Sequence, residues 1–130
     1  MEKKYFLTNY AVPLNSGILY SSKYTMEVAG QVGVEFGTIN LVERGIREET
    51  IKTIENIEHI LSKVGWSLEN VVKVRIFVTD ISNGAIVNEE YKKKFNKDYP
   101  TRLMVGVKEL PLGALVEMEC TAIGDTINEK

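Results

Sequence analysis

The sequence predicts an α+β fold on three observations. Residues 46–64 carry an apolar stripe at helical spacing, residues 71–81 alternate with a period of two, and the order along the chain is strands, helix, strand, helix, strands. Two amphipathic helices can cover only one face of such a sheet, so the other face needs its own explanation.

Residues 5–12 and 17–36 read as short strands, with Asn15-Ser16-Gly17 as the turn signal between them. Met26 to Val34 is rich in β-branched residues but interrupted by Gly30 and Gly33, and glycine in a strand pattern marks a bulge or a close backbone approach. In the helix at 46–64, Ile51, Ile54, Ile57, Leu61 and Val64 form the stripe, and Glu48 pairs with Lys52 on the outer face. Glu48 and Glu49 occupy the first turn, where acids suit the helix dipole, and Gly65 supplies the stop. In the strand at 71–81, Val72, Val74, Ile76 and Val78 face one way, while Lys73, Arg75, Phe77 and Thr79 face the other. Ser82 is placed to cap a second helix at about 83–96, with Ile86, Val87, Tyr91 and Phe95 inward. Tyr99-Pro100 breaks it, and residues 102–108 and 114–123 form the last strands. Ala114, Val116, Met118, Cys120 and Ala122 share an apolar face; Leu115, Glu117, Glu119, Thr121 and Ile123 share the other.

The face away from the helices thus carries Lys73, Arg75, Glu117 and Glu119 beside Phe77, Leu115 and Ile123. It is too apolar for plain solvent exposure and too charged for a dry core. A subunit interface with paired charges resolves the conflict.

The chain's 130 residues suit one domain, 1–130, with no repeat or linker. A net charge of -2 lacks the basic footprint of a nucleic-acid binder. The lone cysteine, Cys120, excludes an intrachain disulfide and is compatible with a reducing compartment. No stretch approaches the roughly 20 apolar residues of a membrane span, and the apolar run near Met1 is too short for a signal peptide. These features lead to the expectation of a cytoplasmic protein without a nucleic-acid or membrane partner. One histidine, His59 on the solvent side of the first helix, excludes a His-rich metal site. No phosphate loop or dinucleotide fingerprint is present.

Two segments could carry chemistry. In Pro100-Thr101-Arg102-Leu103-Met104-Val105, an arginine at the mouth of a strand can take a carboxylate with both arms of its fork, or form a structural ion pair with Glu117 or Glu119. In Leu115-Val116-Glu117-Met118-Glu119-Cys120, two carboxylates stand on one strand face, roughly 7 Å apart by strand rise. One in a partly dry site can serve as acid or base; alternatively, both neutralise Lys73 and Arg75 across the sheet.

Several segments resemble the RidA (YjgF) family: Gly30-Gln31-Val32; the strand Asn70 to Asp80; Val87-Asn88-Glu89-Glu90-Tyr91; Pro100-Thr101-Arg102; and Leu110-Pro111-Leu112-Gly113-Ala114-Leu115-Val116-Glu117-Met118-Glu119. They occur in the family's order from about residue 26 to residue 123. The resemblance implies a chorismate-mutase-like α+β fold, with a six-stranded mixed sheet and two helices on one face. It also implies a homotrimer with clefts between subunits. The implied activity is hydrolysis of small 2-imino acids, formed from enamines, to 2-keto acids and ammonia, with no cofactor or metal. Arg102 matches the arginine that grips the substrate carboxylate, and Glu117 the glutamate that positions water. Asn88 matches a motif asparagine near the cleft, while Gly30 and Met104 occupy pocket-lining positions.

In one region the chain departs from the family pattern. Where the family has Gly-Pro-Tyr-Ser, this chain reads Asn15-Ser16-Gly17-Ile18-Leu19-Tyr20-Ser21-Ser22, making Tyr20 the counterpart of the pocket tyrosine on a shorter hairpin. That departure keeps a second expectation open, a non-catalytic ligand-binding or regulatory trimer of the same fold. Some relatives are described as endoribonucleases of the L-PSP type; the single histidine and the negative net charge argue against that chemistry.

Overall fold

The computed structural model describes residues 2–9, 11–43 and 45–130. Its elements are β1 (Glu2–Asn9), β2 (Leu14–Ser21), β3 (Tyr24–Gln31), α1 (Ile46–Ser62), β4 (Val71–Val78), α2 (Gly84–Phe95), β5 (Thr101–Gly106) and β6 (Val116–Gly124). The α+β order is the expected one, and both helices lie within two residues of their expected bounds.

Four strands form a sheet in the order β3-β6-β4-β5, with β4 and β5 parallel and β6 antiparallel to its neighbours β3 and β4. β1 and β2 form a separate antiparallel ladder, which corrects the expected continuous six-stranded sheet. The hairpin does reach the edge at β5: Asn15 N donates to the Pro100 carbonyl at 3.3 Å, and Asn15 Nδ2 donates to the Tyr99 carbonyl at 2.8 Å. Pro100 has no N–H to return the bond, so a reciprocal ladder cannot start there.

This use of Asn15 overturns a second expectation. Asn15, Ser16 and Gly17 lie within β2 rather than in a turn. The turn falls at Ala11–Pro13, where Asn9 Oδ1 accepts from Ala11 N at 2.9 Å and Val12 N at 3.1 Å, an arrangement that ends β1 early.

One apolar core lies between the four-stranded sheet and the helices. Val74, Ile76 and Val78 of β4 and Val116, Met118, Cys120 and Ala122 of β6 pack with Ile54, Ile57 and Leu61 of α1 and Val87, Tyr91 and Phe95 of α2. Two details differ from the sequence reading. Ile123 is buried rather than on the open face, because the α1–β4 connection closes over that end of β6, where Asn70 Nδ2 donates to the Ile123 carbonyl at 2.9 Å. Ser82 does not cap α2; its hydroxyl donates to Asp80 Oδ1 at 2.7 Å within the preceding turn. His59 is exposed and stacks against Phe36, while burial pushes the Cys120 thiol up to about 12.

Glu49, read from sequence as a first-turn acid suited to the helix dipole, is buried, and its Oε1 accepts from Leu115 N at 2.8 Å. Burial raises its pKa against the opposing effect of that hydrogen bond. A carboxyl whose pKa rises on folding gives stability present at acid pH and lost as the pH climbs through the folded value. Glu49→Gln, which keeps an acceptor for Leu115, should therefore raise the thermal midpoint at pH 7, and the gain should vanish near pH 4. Melting curves at the two pH values test this; an equal effect at both would assign the change to packing.

Candidate active site

The sheet places Arg102 and Glu117 by register. Arg102 pairs with Val74 and Met104 with Ile76, so both point from β5 toward the helices, while Glu117 pairs with Phe77 on the open face. A single chain therefore carries the two residues on opposite sides of its sheet.

Arg102 lies in an uncharged cradle. Its Nη2 donates to Asn88 Oδ1 at 2.7 Å, and its guanidinium carbon lies 4.9 Å from the centre of the Tyr91 ring. Its other terminal nitrogen, Nη1, is buried and has no hydrogen-bond partner among the described residues. Burial pulls the Arg102 pKa down, but a guanidinium starts so high that it stays charged. The structural ion pair with Glu117 or Glu119 is not formed: Glu119 Oε1 is 2.8 Å from Arg75 Nη1, and the two heads remain substantially exposed. A desolvated guanidinium with a free N–H and no carboxylate beside it has the chemistry to accept an anion.

Glu117 lies against Gly30. A β-carbon built on Gly30 would stand 2.2 Å from Glu117 Oε2, and β3 is bulged there between Val28 and Gln31. Both meanings expected of a glycine in a strand, bulge and close approach, therefore apply. Glu117 itself enters no hydrogen bond or ion pair among the described residues. Gly30→Ala should swing the carboxylate aside and leave the fold standing, because the blocking atom is the end of a flexible side chain. Turnover should fall at least tenfold with little change in thermal midpoint; a normal rate would mean that the carboxylate needs no fixed position.

Of the remaining expected site residues, Asn88 and Met104 stand beside Arg102 or on its face, and Met104 Sδ lies 3.3 Å from where a Gly84 β-carbon would be. Tyr20 is 45% exposed on β2 opposite Lys3, away from this cluster within one chain. Tyr91 was legible only as a core residue of α2; its place three residues after Asn88, on the same helix face, is the signal that could have tied it to Arg102. A depression of about 290 Å³ on the open face, lined by Lys73, Arg75 and Glu119 among others, does not include Arg102.

These features define a two-helix α+β protein with a half-buried arginine, free of any ion pair among the described residues, at the edge of its sheet. Residues 11–124 match the family model described as Endoribonuclease L-PSP, and the chain belongs to that family, whose members carry the names RutC and RidA. It is 36% identical over 118 residues to the RutC family protein UK114 of Drosophila melanogaster, covering 91% of this chain and 84% of that one. It is 35% identical over 99 residues to the human 2-iminobutanoate/2-iminopropanoate deaminase, covering 76% and 72%. The solved structure of RidA from an Antarctic Psychrobacter superposes with a TM-score of 0.73 at 30% identity, covering 89% and 92%. No helix among the described residues is long and apolar enough to cross a membrane.

Proposed function

We propose that this protein hydrolyses small 2-imino acids to 2-keto acids and ammonia, as a cofactor-free homotrimer in the cytoplasm. The observation that carries the reading is Arg102 Nη1, buried and without a partner in an uncharged cradle. A substrate carboxylate supplies the missing acceptor. The name of the human relative, at 35% identity, supports the same chemistry.

The reaction asks little of the protein. A protonated imine carbon is already electrophilic, so orientation and a directed water suffice. Arg102 fixes the carboxylate, and Glu117 draws a proton from the water as its oxygen bonds to the imine carbon. The proton then passes from Glu117 to the nitrogen, which leaves as ammonia while the hydroxyl gives its own proton back to Glu117 and the carbonyl forms.

The trimer accounts for the placement of these residues. Glu117 and Arg102 face opposite ways in one chain, so a shared cleft takes one from each of two copies. The open sheet face suits burial by those copies, since Leu103 and Val105 are 43% and 40% exposed on it. The test is release of keto acid from a panel of freshly generated imino acids, read by semicarbazide trapping, with molar mass by light scattering. Accelerated hydrolysis by a trimer is expected. A monomer at micromolar concentration would remove the shared cleft. The exposure of Tyr20 favours, as a second reading, a trimer that binds such acids without turnover; binding without acceleration would establish it.

A further inference from the structure

We propose that Tyr91 is a positioning residue for the ligand carboxylate, its ring face holding the Arg102 guanidinium so that Nη1 is presented to the anion. This deepens the reading above and rests on Arg102 being the carboxylate receptor.

An arginine side chain has several rotatable bonds, and a free one loses considerable entropy when it grips a ligand. A second carboxylate could hold it in place, but would also compete with the ligand for its charge. Here the restraint is neutral on both sides. Asn88 Oδ1 takes one N–H of Nη2 at 2.7 Å, and the Tyr91 ring lies under the guanidinium carbon at 4.9 Å. Both come from one face of α2, three residues apart, so the helix fixes their spacing. Tyr91 cannot easily turn away: it is fully buried, and its ring stacks on Phe95 with centroids 4.2 Å apart and planes inclined by 19°. The π-face attracts the cation without neutralising it, so the whole positive charge remains for the ligand.

The Tyr91 hydroxyl identifies the working part of the side chain. It is buried and has no hydrogen-bond partner among the described residues, and burial raises its pKa so that it stays neutral. The ring, not the hydroxyl, therefore makes the contact with Arg102. Tyr91→Phe, the reference point of the series below, should lose no stability, since it deletes only an unsatisfied group.

The decisive experiment varies the charge of the ring face at nearly constant shape. Phenylalanine, 4-fluorophenylalanine and 3,4,5-trifluorophenylalanine are placed at position 91, and the dissociation constant for 2-oxobutanoate, used as the carboxylate probe, is measured by calorimetry with thermal midpoints alongside. Affinity should weaken stepwise with fluorine content, within the roughly 2- to 25-fold that a cation–π contact represents, while the midpoints stay level. Arg102→Met is the control and should abolish binding. A flat affinity series with binding lost in Arg102→Met overturns the positioning role and leaves the carboxylate site standing. Failure of the unmodified chain to bind the probe, or binding untouched by Arg102→Met, overturns both.

Discussion

Arg102→Ala should leave a folded chain in which the proposed hydrolysis of 2-iminopropanoate is lost. A charged hydrogen-bonded contact contributes about 1.5–3 kcal/mol, so its loss alone lowers kcat/KM by roughly 10–100-fold. Loss of orientation at the imine carbon adds to this. The fold survives because Arg102 sits at the edge of the core on β5 and anchors no other charged group; its hydrogen bond to Asn88 and its contact with Tyr91 are local. Arg102→Lys should fail as well. Its ammonium can reach neither Asn88 and the ligand in one plane nor lie flat on the ring. Near-normal kcat/KM in the alanine variant, measured by keto-acid release, would make Arg102 structural and leave its unpaired Nη1 without a purpose.

Glu117 and Glu119 stand on the same strand face, yet their substitutions should separate. Glu117→Gln keeps the size but accepts no proton, and a positioned acid or base is worth about 10²–10⁴-fold. Turnover should fall within that range while melting temperature and assembly hold. Glu119→Gln removes the partner of Arg75, a pair whose heads are 47% and 37% exposed in the single chain. Such a pair contributes only about 0–1 kcal/mol. If other copies cover the face, breaking it costs more, because Arg75 is then buried unpaired. Glu119→Gln should therefore act on stability and assembly rather than on the rate. Parallel assays of both variants decide; a reversed pattern would exchange the two roles, and an unchanged rate in both favours the binding reading.

Much of this arrangement was legible from alternation. From Lys73 to Val78 in β4 and from Val116 to Ala122 in β6 the faces are those the alternation predicts, and α1 shows its stripe, because period and burial agree there. What failed depended on partners distant in sequence. Asn15-Ser16-Gly17 has the composition of a turn, but Asn15 is held in β2 by Tyr99 and Pro100, 84 and 85 residues on. Glu49 has the position of a first-turn acid suited to the helix dipole and is buried by its bond to Leu115. Arg102 and Glu117 were legible as residues, but their opposite orientation was not, since it follows from the parallel pairing of β5 with β4. The face occupied by an edge strand depends on its register, which nothing local to residues 101–106 sets.

The sheet order β3-β6-β4-β5 governs how this protein can be made. β6, the last strand in sequence, is an interior strand, pairing with β3 on one side and β4 on the other. While the chain is being synthesised, β3 and β4 have no common partner until residues 116–124 emerge, and the apolar faces of both helices wait over an incomplete layer. The contact between Gly30 and Glu117 closes a long loop, so the seat of the carboxylate forms only after β6 exists. The sheet is therefore completed by insertion of one strand into a waiting gap. A chain stopped before residue 116 would have neither a closed core nor Glu117, and would expose the facing edges of β3 and β4 to pairing with other chains.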